Sequence, residues 1–244
     1  MQIELLIQRG HEKSDLKLQK YKVEVEPDFV VLDAVHKIQA ESSPDLAVRW
    51  NCKAGKCGSC SAEINGHPKL LCMTRIVDLP AGPITIKPMQ TFPLIKDLVT
   101  DVSWNYEVNK KIAPYMHSPG AEVPRLAQKD VERIQEFRKC IECFLCQDTC
   151  HVLRSHDKKS EFVGPRFLVR LANLQMHPLD SDDRLDQIYK EFGIGYCNIT
   201  RCCTEVCPEF IKITDNAIIP LKERVADRFY DPLKILIRKI FRRN

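Results

Sequence analysis

The chain has 244 residues, of which 44% are apolar and 29% charged, and its formal net charge is +4. The length allows two domains, and no apolar run of about 18 residues predicts a membrane-spanning helix. The net charge is modest and the sequence has no basic stripe with interleaved aromatic residues, so it predicts no nucleic-acid partner. It also has no glycine-rich phosphate loop, so it predicts no nucleotide site.

The N-terminal half has the pattern of a small sheet with one helix. Apolar or alternating segments predict strands at residues 3–8, 20–26, 61–64 and 84–87. Asn65-Gly66, directly after the third strand, is typical of a type I′ turn. Residues 31–38 repeat their apolar side chains with the helical period. We predict that these elements form a first domain, residues 1–105.

All twelve cysteines of the chain fall into three groups of four. The first group consists of Cys52, Cys57, Cys60 and Cys72. Its spacing, C-x4-C-x2-C-x11-C, is typical of plant-type [2Fe–2S] ferredoxins. Two glycines, Gly55 and Gly58, stand where the backbone passes close to the sulfurs. The sequence therefore predicts a [2Fe–2S] cluster held by these four cysteines.

The second domain, residues 106–244, is predicted to be helical. Its periodic segments lie at residues 128–138, 166–175, 185–192 and 217–228. The second cysteine group consists of Cys140, Cys143, Cys146 and Cys150. It has the C-x2-C-x2-C-x3-C spacing of bacterial ferredoxins, in which three cysteines hold one [4Fe–4S] cluster and the fourth reaches across to another.

The third group consists of Cys197, Cys202, Cys203 and Cys207. It fits the same template with Thr200 in place of the second cysteine, and Pro208 follows the last one. If the fourth cysteine of each run crosses over, a [4Fe–4S] cluster takes Cys140, Cys143, Cys146 and Cys207. The remaining cluster then takes Cys150, Cys197 and Cys203.

Three thiolates beside a threonine hydroxyl, which is a poor iron ligand, predict that the last cluster is [3Fe–4S]. Cys202 neighbours the missing position and remains a candidate ligand for a fourth iron. However, adjacent side chains generally diverge, and the template already uses Cys203. The sequence therefore favours Cys203 as the ligand and leaves Cys202 outside the set.

Disulfides and structural zinc are the other common uses of such cysteines. The N-terminal residues lack the basic and apolar regions of a secretory signal, so we expect a reducing location in which disulfides are rare. Paired C-x2-C units often hold zinc, but the first two groups have poor zinc spacings. A zinc-stabilised interaction module remains the non-enzymatic alternative.

The C-terminal tail, residues 231–243, carries five basic side chains against one acidic side chain. Leu233, Ile237 and Ile240 follow one another at helical spacing. Such a segment suits an anionic membrane surface or a membrane subunit, and it equally suits an amphipathic helix that packs on its own domain. Both interpretations remain open from the sequence.

Taken together, these motifs resemble one family. The segments that carry the resemblance are Arg49-Trp50-Asn51-Cys52 through Cys60, Cys140-Ile141-Glu142-Cys143, Glu161-Phe162-Val163-Gly164-Pro165 and Cys203-x3-Cys207-Pro208. They resemble the iron–sulfur subunit of succinate dehydrogenase and fumarate reductase over almost the entire chain. The expected cluster types, their order along the chain and the missing cysteine at Thr200 all agree with this resemblance.

The resemblance implies an α+β protein in which a β-grasp [2Fe–2S] ferredoxin domain precedes an α-helical ferredoxin domain. It implies an FAD-containing flavoprotein partner and a membrane anchor that binds quinone. Electrons would pass through [2Fe–2S], [4Fe–4S] and [3Fe–4S] clusters in turn, and substrate would not touch this subunit. A plant-type centre near about −400 mV is too reducing for this role, so we expect Lys53 and Lys56 to help raise its potential.

The family commonly has a proline, a tryptophan and a histidine near the quinone, and here those places hold His151, Ser155 and Asn198. The resemblance therefore assigns no quinone ligands, although these residues and Thr200 are expected close to the last cluster. We expect peripheral attachment to the cytoplasmic face of a bacterial membrane and succinate oxidation in the tricarboxylic acid cycle. Fumarate reduction, or a relay in a related thiol-linked complex, remains the alternative.

Overall fold

The computed structural model describes residues 1–12, 14–117 and 126–232. A five-stranded mixed sheet forms the centre of the N-terminal half, with the strands in the order β2-β1-β5-β3-β4. The strands are β1 (Gln2–Arg9), β2 (Lys17–Glu24), β3 (Ser61–Ile64), β4 (His67–Leu70) and β5 (Ile84–Lys87). β1 pairs antiparallel with β2 and parallel with β5. This is the β-grasp arrangement that the resemblance implies.

Helix α1 (Val31–Glu41) covers one face of this sheet. Leu32, Val35 and Ile38 recur at helical spacing on its buried side and pack with Leu5 and Ile86 of the sheet. The helix is three residues longer than its predicted extent, because the apolar period ends before the helix does. Burial of this stripe is what holds α1 on the sheet.

The turn between β3 and β4 is formed by Asn65 and Gly66, as the sequence predicts. Both residues have positive φ, +50° and +78°, which a type I′ turn requires at its two central positions. Asn65 also accepts the Thr85 N–H at 2.8 Å through its side chain. The turn thereby joins the hairpin to the neighbouring strand β5.

A short antiparallel ribbon and a helix connect the two halves. The ribbon consists of β6 (Leu94–Lys96) and β7 (Val99–Thr100), and α2 spans Ser103–Lys110. The predicted division at residue 105 lies inside α2, and Val108 packs with the second half of the chain. The division into domains 1–105 and 106–244 stays a proposal.

The second half is helical in the described residues beyond α2. Its helices are α3 (Gln128–Gln135), α4 (Leu145–Asp148), α5 (His151–Arg154), α6 (Pro165–Gln175), α7 (Leu185–Lys190), α8 (Cys202–Glu205) and α9 (Ile219–Phe229). Four predicted helices are confirmed, with shifted ends. A 3-10 turn (Glu136–Lys139) completes the first, and a π-helical segment (Ile213–Ile218) leads into the last.

Helix α6 is the centre of the second core. Phe167, Leu168 and Leu171 are buried on it, and Pro165 begins it at a position where its missing N–H costs nothing. Phe162 and Phe192 pack against the same side chains. This core fixes the loops that carry the second and third cysteine groups.

None of the helices in the described ranges is long and apolar enough to cross a membrane. The amphipathic segment predicted for the tail, with Leu233, Ile237 and Ile240, lies outside the described residues.

Candidate metal centres

The structure brings the four cysteines of the first group together. Cys52, Cys57 and Cys60 lie on one loop, and Cys72 follows β4 and closes the group from the other side. Lys56 and Ala54 direct their backbone N–H groups at the sulfur of Cys52, at 3.3 and 3.4 Å. Donors aimed at a ligand sulfur are a feature of iron–sulfur loops and stabilise the reduced cluster.

The thiols of this group differ in their acidity. Burial opposes ionisation of Cys57, but hydrogen bonds from Ser59 and Cys52 outweigh it and lower the pKa of this thiol to about 7. Burial raises the pKa of Cys60 to about 12, and neighbouring Cys72 and Cys57 add to the shift. These mutual effects show that all four sulfurs share one small volume.

The two lysines of this loop are engaged by other side chains. The Lys53 ammonium lies 5.0 Å from the centre of the Trp50 ring, and the Lys56 ammonium lies 3.2 Å from the Glu209 carboxylate. Both lie close to the first cysteine group. The Lys56–Glu209 pair also connects this loop to the segment after Cys207. The nearby carboxylate partly neutralises the charge of Lys56.

The second and third cysteine loops share one backbone path. Two left-handed residues follow the first cysteine of each loop at the same offsets: Glu142 and Phe144 in one, Ile199 and Arg201 in the other. In both loops the second of them precedes a four-residue helix, α4 or α8. The repeat supports the alignment that places Thr200 opposite Cys143.

A small apolar cavity lies among the residues of the second set. It is lined by all four proposed ligands of the [4Fe–4S] cluster: Cys140, Cys143, Cys146 and Cys207. The apolar part of the wall includes Ile141, Val169 and Ile213. Burial and, to a smaller extent, the charges of the nearby Cys140 and Cys207 raise the pKa of Cys143 to about 12. Four sulfurs around one apolar cavity fit a cluster that delocalises their negative charge.

Arg166 supplies a positive charge to the wall of this cavity. The residue is 5% exposed, and its Nε has no hydrogen-bond acceptor among the described residues. One terminal nitrogen of the guanidinium donates to the Glu142 carboxylate. An unpartnered buried N–H beside four thiolates suits an anionic group in the cavity. The sequence analysis missed this residue, although a basic residue directly after Gly164-Pro165 was a visible signal.

The third group is assembled from both ferredoxin runs. Cys150, at the start of α5, lies near Cys197, Cys202 and Cys203. The charges of these neighbours contribute to the raised pKa values of Cys150 and Cys203. Burial raises the pKa of both Cys150 and Cys203 to about 11. Cys197 and Cys202 are only half-buried, and Thr200 is exposed. This group therefore opens to the surface, unlike the second.

The three groups lie next to one another in the order of the chain. Gly58 of the first loop touches Cys143 of the second, and the Ser61 hydroxyl donates to the Cys143 carbonyl at 2.8 Å. In the second set, Cys146 lies near Cys203 of the third group. The proposed ligands thus form one continuous series through the protein.

A buried charged cluster joins the two halves beside this series. Glu63 on β3 and Asp148 on α4 are both buried, and Arg154 lies 2.5 Å from the Glu63 carboxylate. Asp148 accepts the Thr91 N–H at 3.0 Å. Burial raises the pKa of Asp148 to about 7, and the charge of Glu63 adds to the shift. No pattern in the amino-acid sequence indicates this cluster.

The residues expected near the last cluster are at the open end of the third group. His151 begins α5 directly after Cys150, and Ser155 follows the same helix. Asn198 and Thr200 are exposed between Cys197 and Cys202. Among the described residues, no three His, Cys, Asp or Glu side chains form a site for a single metal ion.

Comparison with known proteins agrees with this geometry. Residues 3–107 match a family described as a 2Fe-2S iron-sulfur cluster binding domain, and residues 136–211 match a 4Fe-4S dicluster domain. The chain is 31% identical over 198 residues to the fumarate reductase iron-sulfur subunit of Mycobacterium tuberculosis, covering 78% of this chain and 79% of that protein.

The chain belongs to the iron–sulfur subunits of the succinate dehydrogenase and fumarate reductase family.

Two further similarities support the assignment. The succinate dehydrogenase iron-sulfur subunit of Bacillus subtilis is 29% identical, with 80% of this chain and 81% of that protein covered. A chain of the Mycobacterium smegmatis Sdh1 complex in the apo form is 57% identical, with a TM-score of 0.91 and coverage of 95% and 98% of the two chains. The predicted family, the α+β fold class and the role as an electron-transfer subunit are confirmed.

Proposed function

We propose that this chain is the electron-transfer subunit of a succinate:quinone oxidoreductase and works in the direction of succinate oxidation. The observation that carries the proposal is the unbroken series of three sulfur groups, from the first loop to the open third group. When bound, iron–sulfur clusters supply one-electron transfer at such positions. The resemblance to the Sdh1 complex supports the succinate direction.

The ligand assignment is part of this proposal. Cys52, Cys57, Cys60 and Cys72 hold [2Fe–2S]. Cys140, Cys143, Cys146 and Cys207 hold [4Fe–4S]. Cys150, Cys197 and Cys203 hold [3Fe–4S]. The grouping of the sulfurs and the shared backbone path of the two ferredoxin loops support it.

The residues of the chain then space the clusters, exclude water and adjust their potentials. Ile141, Val169 and Ile213 keep the second site apolar, which strengthens local electrostatic effects. The Arg166 guanidinium stabilises added negative charge there. The backbone N–H groups of Ala54 and Lys56 have the same effect at the first site. Gly58 and Ser61 hold the first two sites together.

The proposed partners are an FAD-containing flavoprotein and a membrane anchor with a quinone site. The half-buried Cys52 and Cys57, with exposed Trp50 beside them, give the first site an open face for the electron donor. The half-buried Cys197 and exposed Asn198 give the third site a face for the acceptor. We place the chain peripherally on the cytoplasmic face of a bacterial membrane, within the tricarboxylic acid cycle.

The proposal is tested by electron paramagnetic resonance on the anaerobically purified complex. We expect a [3Fe–4S] signal in the oxidised sample, which succinate removes while a reduced [2Fe–2S] signal appears. A silent oxidised sample that responds only to dithionite would contradict the assignment. The ratio of succinate-driven quinone reduction to quinol-driven fumarate reduction tests the direction, and a ratio below one would reverse it.

A further inference from the structure

Cys202 is the one cysteine that the proposed ligand sets leave unused. It begins α8, directly after Arg201, which has a φ of +65°. Its sulfur lies 3.3 Å from the hydroxyl oxygen of Thr200. The contact places the side chains of residues 200 and 202 on the same side of the loop.

Thr200 marks the corner at which the third site lacks a thiolate. The shared backbone path places it opposite Cys143, the second cysteine of the complete run. A sulfur 3.3 Å from that hydroxyl therefore lies beside the missing position. Adjacent side chains generally diverge, and here Cys203 is buried whereas Cys202 is half-buried. The two sulfurs can therefore approach the same centre from different sides.

The other thiols of the third group are near Cys202 as well. Cys202 directly precedes Cys203, a proposed ligand of the third centre, in α8. Thr200, whose hydroxyl contacts the Cys202 sulfur, lies on the loop between Cys197 and Cys203. Cys202 is half-buried whereas Cys203 is 6% exposed, which leaves its sulfur accessible to an ion from solvent.

We propose that Cys202 is the ligand of a fourth iron, so that the third centre accepts ferrous iron and becomes [4Fe–4S]. This inference rests on the proposed function, because it requires a [3Fe–4S] centre on Cys150, Cys197 and Cys203. The Cys202 thiol releases its proton to solvent and forms one Fe–S bond. The reduced, formally neutral three-iron core plus one Fe2+ gives a four-iron core of charge 2+, so the uptake itself consumes no electron.

Cys202 rather than Thr200 is the ligand in this proposal. A thiolate binds iron well and a neutral hydroxyl binds it poorly, and the hydroxyl lies close enough to hydrogen-bond to the Cys202 sulfur. Removal of the Thr200 hydroxyl should leave uptake of the fourth iron intact, whereas removal of the thiol should abolish it.

The test uses the intact complex, purified anaerobically, reduced with dithionite and incubated with 57Fe2+. After removal of free iron and anaerobic reoxidation, we expect the [3Fe–4S] resonance to be largely lost and Mössbauer spectra to show one added 57Fe per chain. Cys202→Ala should keep the resonance and take up no iron at this site. Thr200→Ala is the matched control and should behave as the wild type.

A wild-type complex that keeps its [3Fe–4S] resonance would overturn the proposal, and so would equal uptake by Cys202→Ala. A complex isolated as [4Fe–4S], with Cys202→Ala isolated as [3Fe–4S], would support it. Absence of the [3Fe–4S] resonance in wild type and in Cys202→Ala alike would instead overturn the three-iron assignment in the proposed function. The two failures are therefore distinguishable.

Discussion

A Cβ atom on Gly58 would lie 2.5 Å from the Cα atom of Cys143, so only glycine lets the first and second cysteine loops touch. Gly58 also has a φ of +68°, which other residues adopt at a cost. The contact joins the two halves of the chain at the point where electrons must cross between them. Two independent constraints therefore act on this single residue.

We predict that Gly58→Ala separates the two loops. The clash and the backbone conformation together should lower the free energy of unfolding by about 1–3 kcal/mol. The magnetic interaction between the first two clusters, measured by electron paramagnetic resonance, should weaken. Gly66→Ala is the control, because Gly66 has a φ of +78° but no atom near its added Cβ. Equal effects of the two substitutions on the magnetic interaction would contradict the prediction.

Arg154 is the cation that offsets two buried carboxylates, Glu63 and Asp148. We predict that Arg154→Met lowers the free energy of unfolding by about 1–3 kcal/mol, because it removes the cation beside a buried carboxylate while the partial exposure of Arg154 lets water screen part of the loss. Urea unfolding measures the change. The control is Lys110→Met, which removes an exposed pair with Glu107 and should cost about 0–1 kcal/mol. A similar loss in both variants would show that the cluster is not a buried ion pair.

Arg166 should raise the reduction potential of the second cluster, because its positive charge favours the state with more negative charge. We predict that Arg166→Met lowers this potential, by about 59 mV for each 1.4 kcal/mol of attraction lost. A redox titration followed by electron paramagnetic resonance gives the value. Arg166→Lys keeps the charge and should shift the potential less. An unchanged potential in Arg166→Met would mean that Glu142 neutralises the guanidinium fully.

Asp183 connects α7 to α9 through Arg228. Burial opposes ionisation of Asp183, but hydrogen bonds from Arg228 and the Leu185 N–H outweigh it and lower its pKa. Such a group stabilises the folded state above its unfolded pKa of about 3.9, and this contribution is lost as the pH falls through the folded value.

We therefore predict that Asp183→Asn destabilises the protein at neutral pH and reduces the loss of stability below about pH 4. Thermal unfolding from pH 3 to pH 7 measures both effects. Asp186→Asn serves as the control, because it removes only a 3.4 Å contact with the same guanidinium and an exposed 3.5 Å pair with Lys190. Parallel acid profiles in wild type and Asp183→Asn would contradict the assignment.

Thr200→Cys should restore the complete ferredoxin template and convert the third centre from [3Fe–4S] to [4Fe–4S]. We expect the oxidised [3Fe–4S] resonance to disappear without any added iron. Thr204→Ala, on the adjacent helix, should keep the resonance. An unchanged resonance in Thr200→Cys would show that the alignment of the two ferredoxin loops is wrong.

Much of the fold follows from local sequence patterns. The strands Ser61–Ile64 and Ile84–Lys87 have the predicted bounds, and the Asn65-Gly66 turn has the predicted geometry. Short elements were missed: β4 contains Pro68, which disfavours a strand assignment, and α2 has few apolar residues. Pattern analysis requires several periods, and these elements are too short to contain them.

The functional residues also differ in how far a local sequence pattern indicates them. Cysteine spacing predicts the three groups because ferredoxin loops are local structures. The Glu63–Asp148–Arg154 cluster depends on contacts between segments far apart in sequence, so no local pattern indicates it. Arg166 follows Gly164-Pro165 directly, but its place in the wall of the second site also depends on long-range contacts. Cys202 is a mixed case: its position beside the gap is visible in the sequence, but the contact of its sulfur with the Thr200 hydroxyl is seen only in the structure.

The proposed exchange of Cys150 and Cys207 between the two ferredoxin loops has a consequence for biogenesis. Neither loop contains a full ligand set of its own, so neither centre can be completed until both loops are in place. Loss of either cofactor would remove a link between the two loops. Cluster insertion into the helical half should therefore follow the folding of both loops, rather than accompany the synthesis of each in turn.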